Sequence, residues 1–302
     1  MSAASAGRQR RVKAALDSVR ARCDVATRRE TDPVSFVHRY SDPIDRELVG
    51  LVASAIAFGN VKAVMAKLED LLDRLGPHPA RAAEDPKALA RLLRTWKHRV
   101  FLGDDVARLL AGARAVQRAH GSLGRLFEAE LAARGDLREA LAAWCDAIRR
   151  SGGLGRGGRR RGPAHLLADP RGSSGNKRLM LYLRWMCRPA DGVDLGLWRV
   201  DPARLLMPVD VHVHRLGRNL GLTRQRALGW RTTEEITAAL ARFDPRDPVG
   251  YDFSLCHMGM LQRCPSRRDA RLCEGCGIQS VCVHWTGRAR SGGSDKVHEG
   301  PE

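Results

Sequence analysis

Two features are absent from this 302-residue chain, and each removes a destination. The polar start MSAASAGRQRR is followed by no apolar run of the kind a secretion signal needs. No stretch approaches the roughly 18 apolar residues of a membrane span. The expectation is a soluble, cytoplasmic protein. Sustained strand alternation is also missing, as is any internal repeat, which points to an all-α chain. Lysine is scarce: of 52 basic residues only seven are lysine, the rest arginine.

The charge that remains is large, +18 with a pI near 10.5. A field of that sign concentrates phosphate backbones near a surface. An arginine-rich coding bias can supply part of it, so charge ranks nucleic acid first without identifying it.

Eight cysteines are present, and four crowd into RCPSRRDARLCEGCGIQSVCVHW. Cys264, Cys273, Cys276 and Cys282 are separated by eight, two and five residues, so one compact loop could ligate a single centre. In a reducing compartment such a group reads as metal ligands rather than disulfides. Spacing alone leaves zinc and iron-sulfur equal, since only Cys273 and Cys276 form a close pair. Cys23, Cys145, Cys187 and Cys256 lie in apolar helical patterns and are expected in the core.

Helical periodicity runs over residues 48–56 and again over 61–75, broken by Phe58-Gly59-Asn60 and ended by Gly76-Pro77. Further helices are predicted at 86–97, 104–119, 123–133 and 136–150, opened by Asp85-Pro86, Ser122 and Asp136 as caps. SGGLGRGGRRRGP, 151–163, reads as a flexible basic loop, and the tail from 286 to 302 as disordered.

In DPRGSSGNKRLMLYLRWMCR, Ser173-Ser174-Gly175 can make a tight turn and cap a helix whose buried side carries Leu179, Leu183 and Met186. Such a helix, turn, helix unit exposes backbone N–H groups to a phosphate oxygen. Lys177 falls in the first helical turn, against both the helix dipole and the chain's preference for arginine. Only lysine can lose its proton and attack carbon to form a Schiff base. In LMPVDVHVHRLGRNLGL, Asp210 precedes an amphipathic helix that Gly221 stops, and could be a plain N-cap. His212 and His214 face different sides of that helix and are read as packing or hydrogen-bonding residues.

Taken in order, these stretches resemble the helix-hairpin-helix DNA glycosylase superfamily of endonuclease III, MutY-type adenine glycosylases and archaeal 8-oxoguanine glycosylases. The endonuclease III hairpin reads LPGVGRKTA, its aspartate motif VDTHVxR, and four cysteines holding a [4Fe-4S] cluster close the chain. Here Arg171 to Leu179 stands for the first and Val209 to Arg215 for the second, with Gly175, Lys177, Asp210, His212 and Arg215 matching in place. Ser173 replaces the hairpin's first glycine. The Lys177–Asp210 interval is longer than in endonuclease III, and the first cysteine loop has eight residues where that enzyme has six. The chain also resembles a bacterial family of uncharacterised members within this superfamily.

The resemblance implies a two-domain helical glycosylase fold. Residues 1–45 and 189–285 would form one discontinuous domain with the cluster, and 46–188 a helical barrel with the hairpin. It implies double-stranded DNA with a damaged base as partner, 8-oxoguanine foremost, a monomer, and a nucleoid-associated location. Lys177 and Asp210 would be catalytic. The four cysteines would hold [4Fe-4S]. Asn60 would be a wedge filling the gap left by the flipped base, with Phe58, Trp185 or Trp198 a candidate to stack on that base. Ser174, Gly175, Asn176, Arg178, Arg267, Arg268 and Arg271 would face DNA. The expected activity is a bifunctional glycosylase and AP lyase. Its rivals are a hydrolytic monofunctional glycosylase, a noncatalytic DNA-binding module, and a zinc-stabilised nucleic-acid-binding protein.

Overall fold

A computed structural model describes residues 3–155 and 161–286. The described chain is helical almost throughout: α1 (Ala3–Ala21), α2 (Val25–Glu30), α3 (Val34–Val37), α4 (Pro43–Ile56), α5 (Val61–Leu75), α6 (Pro79–Ala82), α7 (Pro86–Leu93), α8 (Gly103–His120), α9 (Leu123–Arg134), α10 (Leu137–Gly152), α11 (Arg161–Leu166), α12 (Lys177–Cys187), α13 (Val211–Leu220), α14 (Trp230–Ala241), α15 (Asp252–Leu261) and α16 (Val283–Thr286). One two-residue antiparallel pairing, Lys97–His98 with Phe101–Leu102, interrupts them. It ends the predicted 86–97 helix four residues early. Among the described residues no helix is long and apolar enough to cross a membrane.

The expected caps form. Asp85 accepts from the Lys87 and Ala88 N–H groups, Ser122 from Arg125 and Asp136 from Glu139, each satisfying donors that a helix start leaves unpaired. Part of the expected 151–163 loop is helical, since α10 runs to Gly152 and α11 opens at Arg161. Residues 156–160 and the tail from 287 lie outside the described residues.

Two apolar clusters hold the molecule. The larger spans Val34 to Leu205, joined by Trp230 and Val249. Its axis is α4, buried along nearly its whole length and packed on α3, α8 and α12. Each fully buried leucine or isoleucine there contributes about 1.5–3 kcal/mol of transfer free energy. Gly50 allows the contact with α12: a Cβ there would sit 2.8 Å from Met186 Cε. Glu47 is buried beside it, and its carboxylate accepts from Trp198 Nε1, Gln117 Nε2 and the Leu123 and Gly124 N–H groups. A buried charge is tolerable when hydrogen-bonded this fully at a helix N-terminus.

The smaller cluster joins α1, through Val12, Leu16 and Val19, to α13, α14, α15 and the cysteine loop. Helix α1 and the cysteine loop therefore share a core. Val34, Phe36 and Val37, and Val193, Leu195, Trp198, Val200 and Leu205, pack in the larger cluster. A buried ionic network crosses between them. Arg184 of α12 binds Asp194 and, at the start of α15, Asp252; Arg188 binds Asp191, Asp194 and Asp247. Removing one partner of such a network leaves a buried charge uncompensated.

Candidate functional site

Lys177 is the first residue of α12 and Asp210 the N-cap of α13. Both are half-buried. Asp210 Oδ1 accepts from the His212 and Val213 N–H groups at 2.9 Å each, so one oxygen performs the capping that the sequence suggested. Oδ2 accepts from the thiol of Cys256, one turn into α15, at 3.6 Å. Lys177 and Asp210, 33 apart in sequence, both lie in electrostatic range of two α15 residues, Asp252 and Cys256. Burial pushes the Asp252 carboxyl up to about 6; Arg184 and Lys177 pull it down, while Asp210 and Asp194 push it further up. Burial likewise drives the Cys256 thiol well above its ordinary value, Asp210 and Asp252 add to the rise, and Lys177 opposes it. Asp210 and Cys256 are thus in contact, with Asp252 and Lys177 in electrostatic range of them. Cys256, expected only as core, is the member the sequence concealed, because nothing within its own helix marks it.

The turn ahead of α12 is tightly held. Asn176 adopts a left-handed conformation (φ 50°), its N–H donates to Ser174 Oγ, and its Nδ2 donates to the Ser174 and Pro170 carbonyls. It is therefore Asn176, with no side-chain cap bond of its own, that begins the helix, one residue later than the Ser-Ser-Gly expected to cap it. Arg138 donates to the carbonyls of Pro170, Arg171 and Gly172 and clamps the turn from outside. Among the described residues the N–H groups of Ser173, Ser174 and Gly175 have no acceptor. Gly175 is buried, and its lack of a side chain serves packing: a Cβ would lie 2.8 Å from Thr233 Oγ1 and 3.3 Å from the Gly229 carbonyl. The Ser173 carbonyl accepts from the Trp230 N–H, which docks the turn on α14.

Behind the turn lies a cavity of about 170 Å³, lined by Leu51, Ser54, His165, Asn176 and Lys177 among others. Asn176 Oδ1 is buried with no hydrogen-bond partner among the described residues.

The other residues expected at DNA divide by exposure. Ser174 is exposed. Asn60 is exposed and caps α5 through the Ala63 N–H. Arg267, Arg268 and Arg271 are exposed, with Arg268 stacked 4.2 Å from the Trp285 ring. Arg178 is turned inward: its guanidinium binds the Ala55 and His165 carbonyls and lies 5.4 Å from Phe58, and burial pulls it down to about 10. Trp185 and Trp198 are buried in the larger core, so neither can stack on an extruded base; Phe58 is half-buried between Arg99 and Arg178.

The cysteine loop hangs from α13. Arg215 donates to the Cys264 carbonyl at 2.8 Å, and Asn219, one turn on, donates to Cys264 Sγ at 3.2 Å and to the Pro265 carbonyl. His284 meets Asn219 Oδ1 at 3.1 Å. Cys264, Cys273 and Cys282 are buried and Cys276 half-buried. Burial raises the Cys264 thiol, the Asn219 amide opposes this, and Cys276, Cys282 and Cys273 raise it further. Among the described residues no three His, Cys, Asp or Glu side chains are arranged to hold a metal ion.

Neither a curated protein nor a solved structure matches this chain. One family model does, over residues 32–261, a span that includes Lys177, Asp210 and Cys256 and stops just before Cys264. The chain belongs to that family, DUF2400, described as a protein of unknown function.

Proposed function

We propose that this protein is a base-excision DNA glycosylase with AP lyase activity, of the helix-hairpin-helix type. The observation that carries the reading is that Lys177 opens α12 and Asp210 caps α13, far apart in sequence, with Cys256 donating to Asp210 and with both residues in electrostatic range of the buried Asp252. The unpaired N–H groups of Ser173, Ser174 and Gly175 support it, because they offer donors to a phosphate of the damaged strand. We read the two apolar clusters as the two domains of such a fold and double-stranded DNA as the partner of a monomer acting at the nucleoid.

The chemistry follows from the groups present. A damaged base, 8-oxoguanine foremost, leaves the stack so that its glycosidic carbon is accessible. Lys177 Nζ, as the free amine, attacks C1′ while the C1′–N bond breaks, and the base departs with that electron pair and takes up a proton. Asp210 as carboxylate stabilises positive charge on the sugar and takes a proton from the attacking nitrogen. Ring opening leaves a Schiff base at C1′, and loss of a C2′ proton expels the 3′ phosphate.

We further propose that the four cysteines hold a [4Fe-4S] cluster. A tetrahedral zinc needs four thiolates about 2.3 Å from one centre, whereas a cubane gives each thiolate its own iron. The donor chemistry supports the cluster: four free thiols on one loop, with the Asn219 amide on one sulfur. The cluster would serve to hold the Arg267, Arg268 and Arg271 loop in shape.

Borohydride trapping on single-lesion duplexes tests the reading. A covalent adduct is expected. Base release without an adduct would indicate a hydrolytic enzyme, and DNA binding without either would indicate a noncatalytic module.

A further inference from the structure

Asp210 stands at the start of α13; the opposite end of that helix opens on a second feature. A cleft of about 790 Å³ is lined by Arg8, Arg218, Arg224, Arg226 and Arg242, with Phe243 among its apolar residues and no acidic side chain. At 1.5 Å per residue, the ten residues of α13 put it about 15 Å from Asp210 along the helix axis.

What distinguishes these arginines is that all five share one concave surface whose lining holds no acidic side chain. Where arginines of this chain lie beside carboxylates they form ion pairs, as Arg39 does with Glu69, Arg74 with Asp70, Arg114 with Glu84 and Arg171 with Asp146. Around the cleft, the guanidiniums of Arg218, Arg224, Arg226 and Arg242 have no ion pair or hydrogen bond among the described residues. Glu235, nearby in sequence, is held by Thr223, Gln225 and Arg231. Arg8 is fixed at the cleft by the Leu220 and Val281 carbonyls, at 3.2 and 3.3 Å, which joins α1, the end of α13 and the cysteine loop. Like charges gathered in a concave surface repel one another and focus a strong positive potential, an arrangement that favours a bound polyanion.

We propose that this cleft binds the sugar-phosphate backbone of a nucleic-acid strand, at a site separate from the hairpin turn. Guanidinium is the group best suited to phosphate, which it meets with two parallel N–H donors. The five come from α1, α13, the segment after it and the end of α14, so they are distributed for successive phosphates rather than converged on one. Phe243 is half-exposed among them and offers a face for a base or sugar. Along a duplex, about 15 Å is four to five base pairs at about 3.4 Å each. The site does not depend on Lys177 or Asp210 performing any chemistry.

The test uses the full chain and undamaged labelled oligonucleotides, single- and double-stranded, with affinity measured over a range of salt. The double variant Arg224→Glu/Arg226→Glu alters exposed residues with no protein partner, so its melting temperature should match the parent's. Its affinity should fall, and the slope of log K against log salt should become shallower by about 2, one step per lost phosphate contact. Arg224→Lys/Arg226→Lys should keep the parent's slope. A slope unchanged in the Glu variant overturns the proposal. So does stabilisation of the parent by inorganic tripolyphosphate that disappears in the Glu variant while oligonucleotide binding is intact, since the cleft would then serve a free polyphosphate. Borohydride trapping is read separately, so loss of the repair reading and loss of this one remain distinct.

Discussion

The Cys256 thiol donates to Asp210 Oδ2 at 3.6 Å, while Asp210 Oδ1 is committed to two backbone N–H groups. The carboxylate is thereby oriented from two sides, by its own helix and by α15. The thiol is a protonated donor here, because burial and the charges of Asp210 and Asp252 all oppose its ionisation. Cys256→Ser should retain a donor and most of the turnover; Cys256→Val should lose several-fold in turnover on an excised lesion with little change in duplex binding. The thiol should also resist alkylation at neutral pH in the folded protein, read as unmodified peptide by mass spectrometry. Rapid labelling would show that the thiol ionises readily in the folded protein.

Lys177→Gln should abolish the borohydride adduct, since an amide nitrogen forms no imine, and should leave lesion binding in place. Asp210→Asn should lower turnover by about 10² or more with binding little altered. Both variants must melt near the parent's temperature for the comparison to report on chemistry. An adduct surviving in Lys177→Gln would identify a different amine as nucleophile.

Asp252 carries a pH signature. Its folded value, about 6, lies above the ordinary 3.8, so the folded state holds the proton more tightly between those limits. This contribution is therefore fully present below pH 4 and is lost as the pH rises through 6. Asp252→Asn does not titrate. Its stability relative to the parent should rise between pH 4 and pH 7 by a few kcal/mol at most, measured as the difference in denaturant unfolding at the two pH values. A difference that is flat or falls with pH would show that Arg184 and Lys177 outweigh burial.

At the cysteine loop, purified protein should be brown and contain about four irons per chain. Cys273→Ser should lose iron and solubility together, because a missing ligand frees the loop. Asn219→Ala removes the donor to Cys264 Sγ and should speed iron loss to a chelator without preventing folding. One zinc per colourless chain would replace this assignment.

Gly175 separates two explanations of the turn. Gly175→Val places side-chain atoms against Thr233 Oγ1 and the Gly229 carbonyl, so it should lower the melting temperature as well as duplex affinity. Adding Thr233→Ala should recover part of the stability. Loss of affinity at unchanged stability would mean that the glycine serves phosphate approach alone.

Much of the local architecture was legible in the residues themselves. Asp85, Ser122 and Asp136 each cap the helix they precede, and Phe58-Gly59-Asn60 breaks α4 from α5 where the apolar period stops. Those signals act within three or four residues, the reach of a cap or a helical turn, so the order of residues suffices to reveal them. The ordered hairpin, aspartate and cysteine motifs also marked Lys177, Asp210 and the thiol loop. Only the tertiary structure decided what surrounds them. Arg178, expected at DNA, turns inward to the Ala55 and His165 carbonyls; Trp185 and Trp198 vanish into the larger core; Cys256 emerges from a core pattern beside Asp210. Of the five arginines of the second cleft, Arg8 lies more than two hundred residues from the other four, and they carry no shared motif. The direction of a side chain beyond its own helical turn depends on which surface packs against it. That is set by long-range burial, and no local run of residues encodes it.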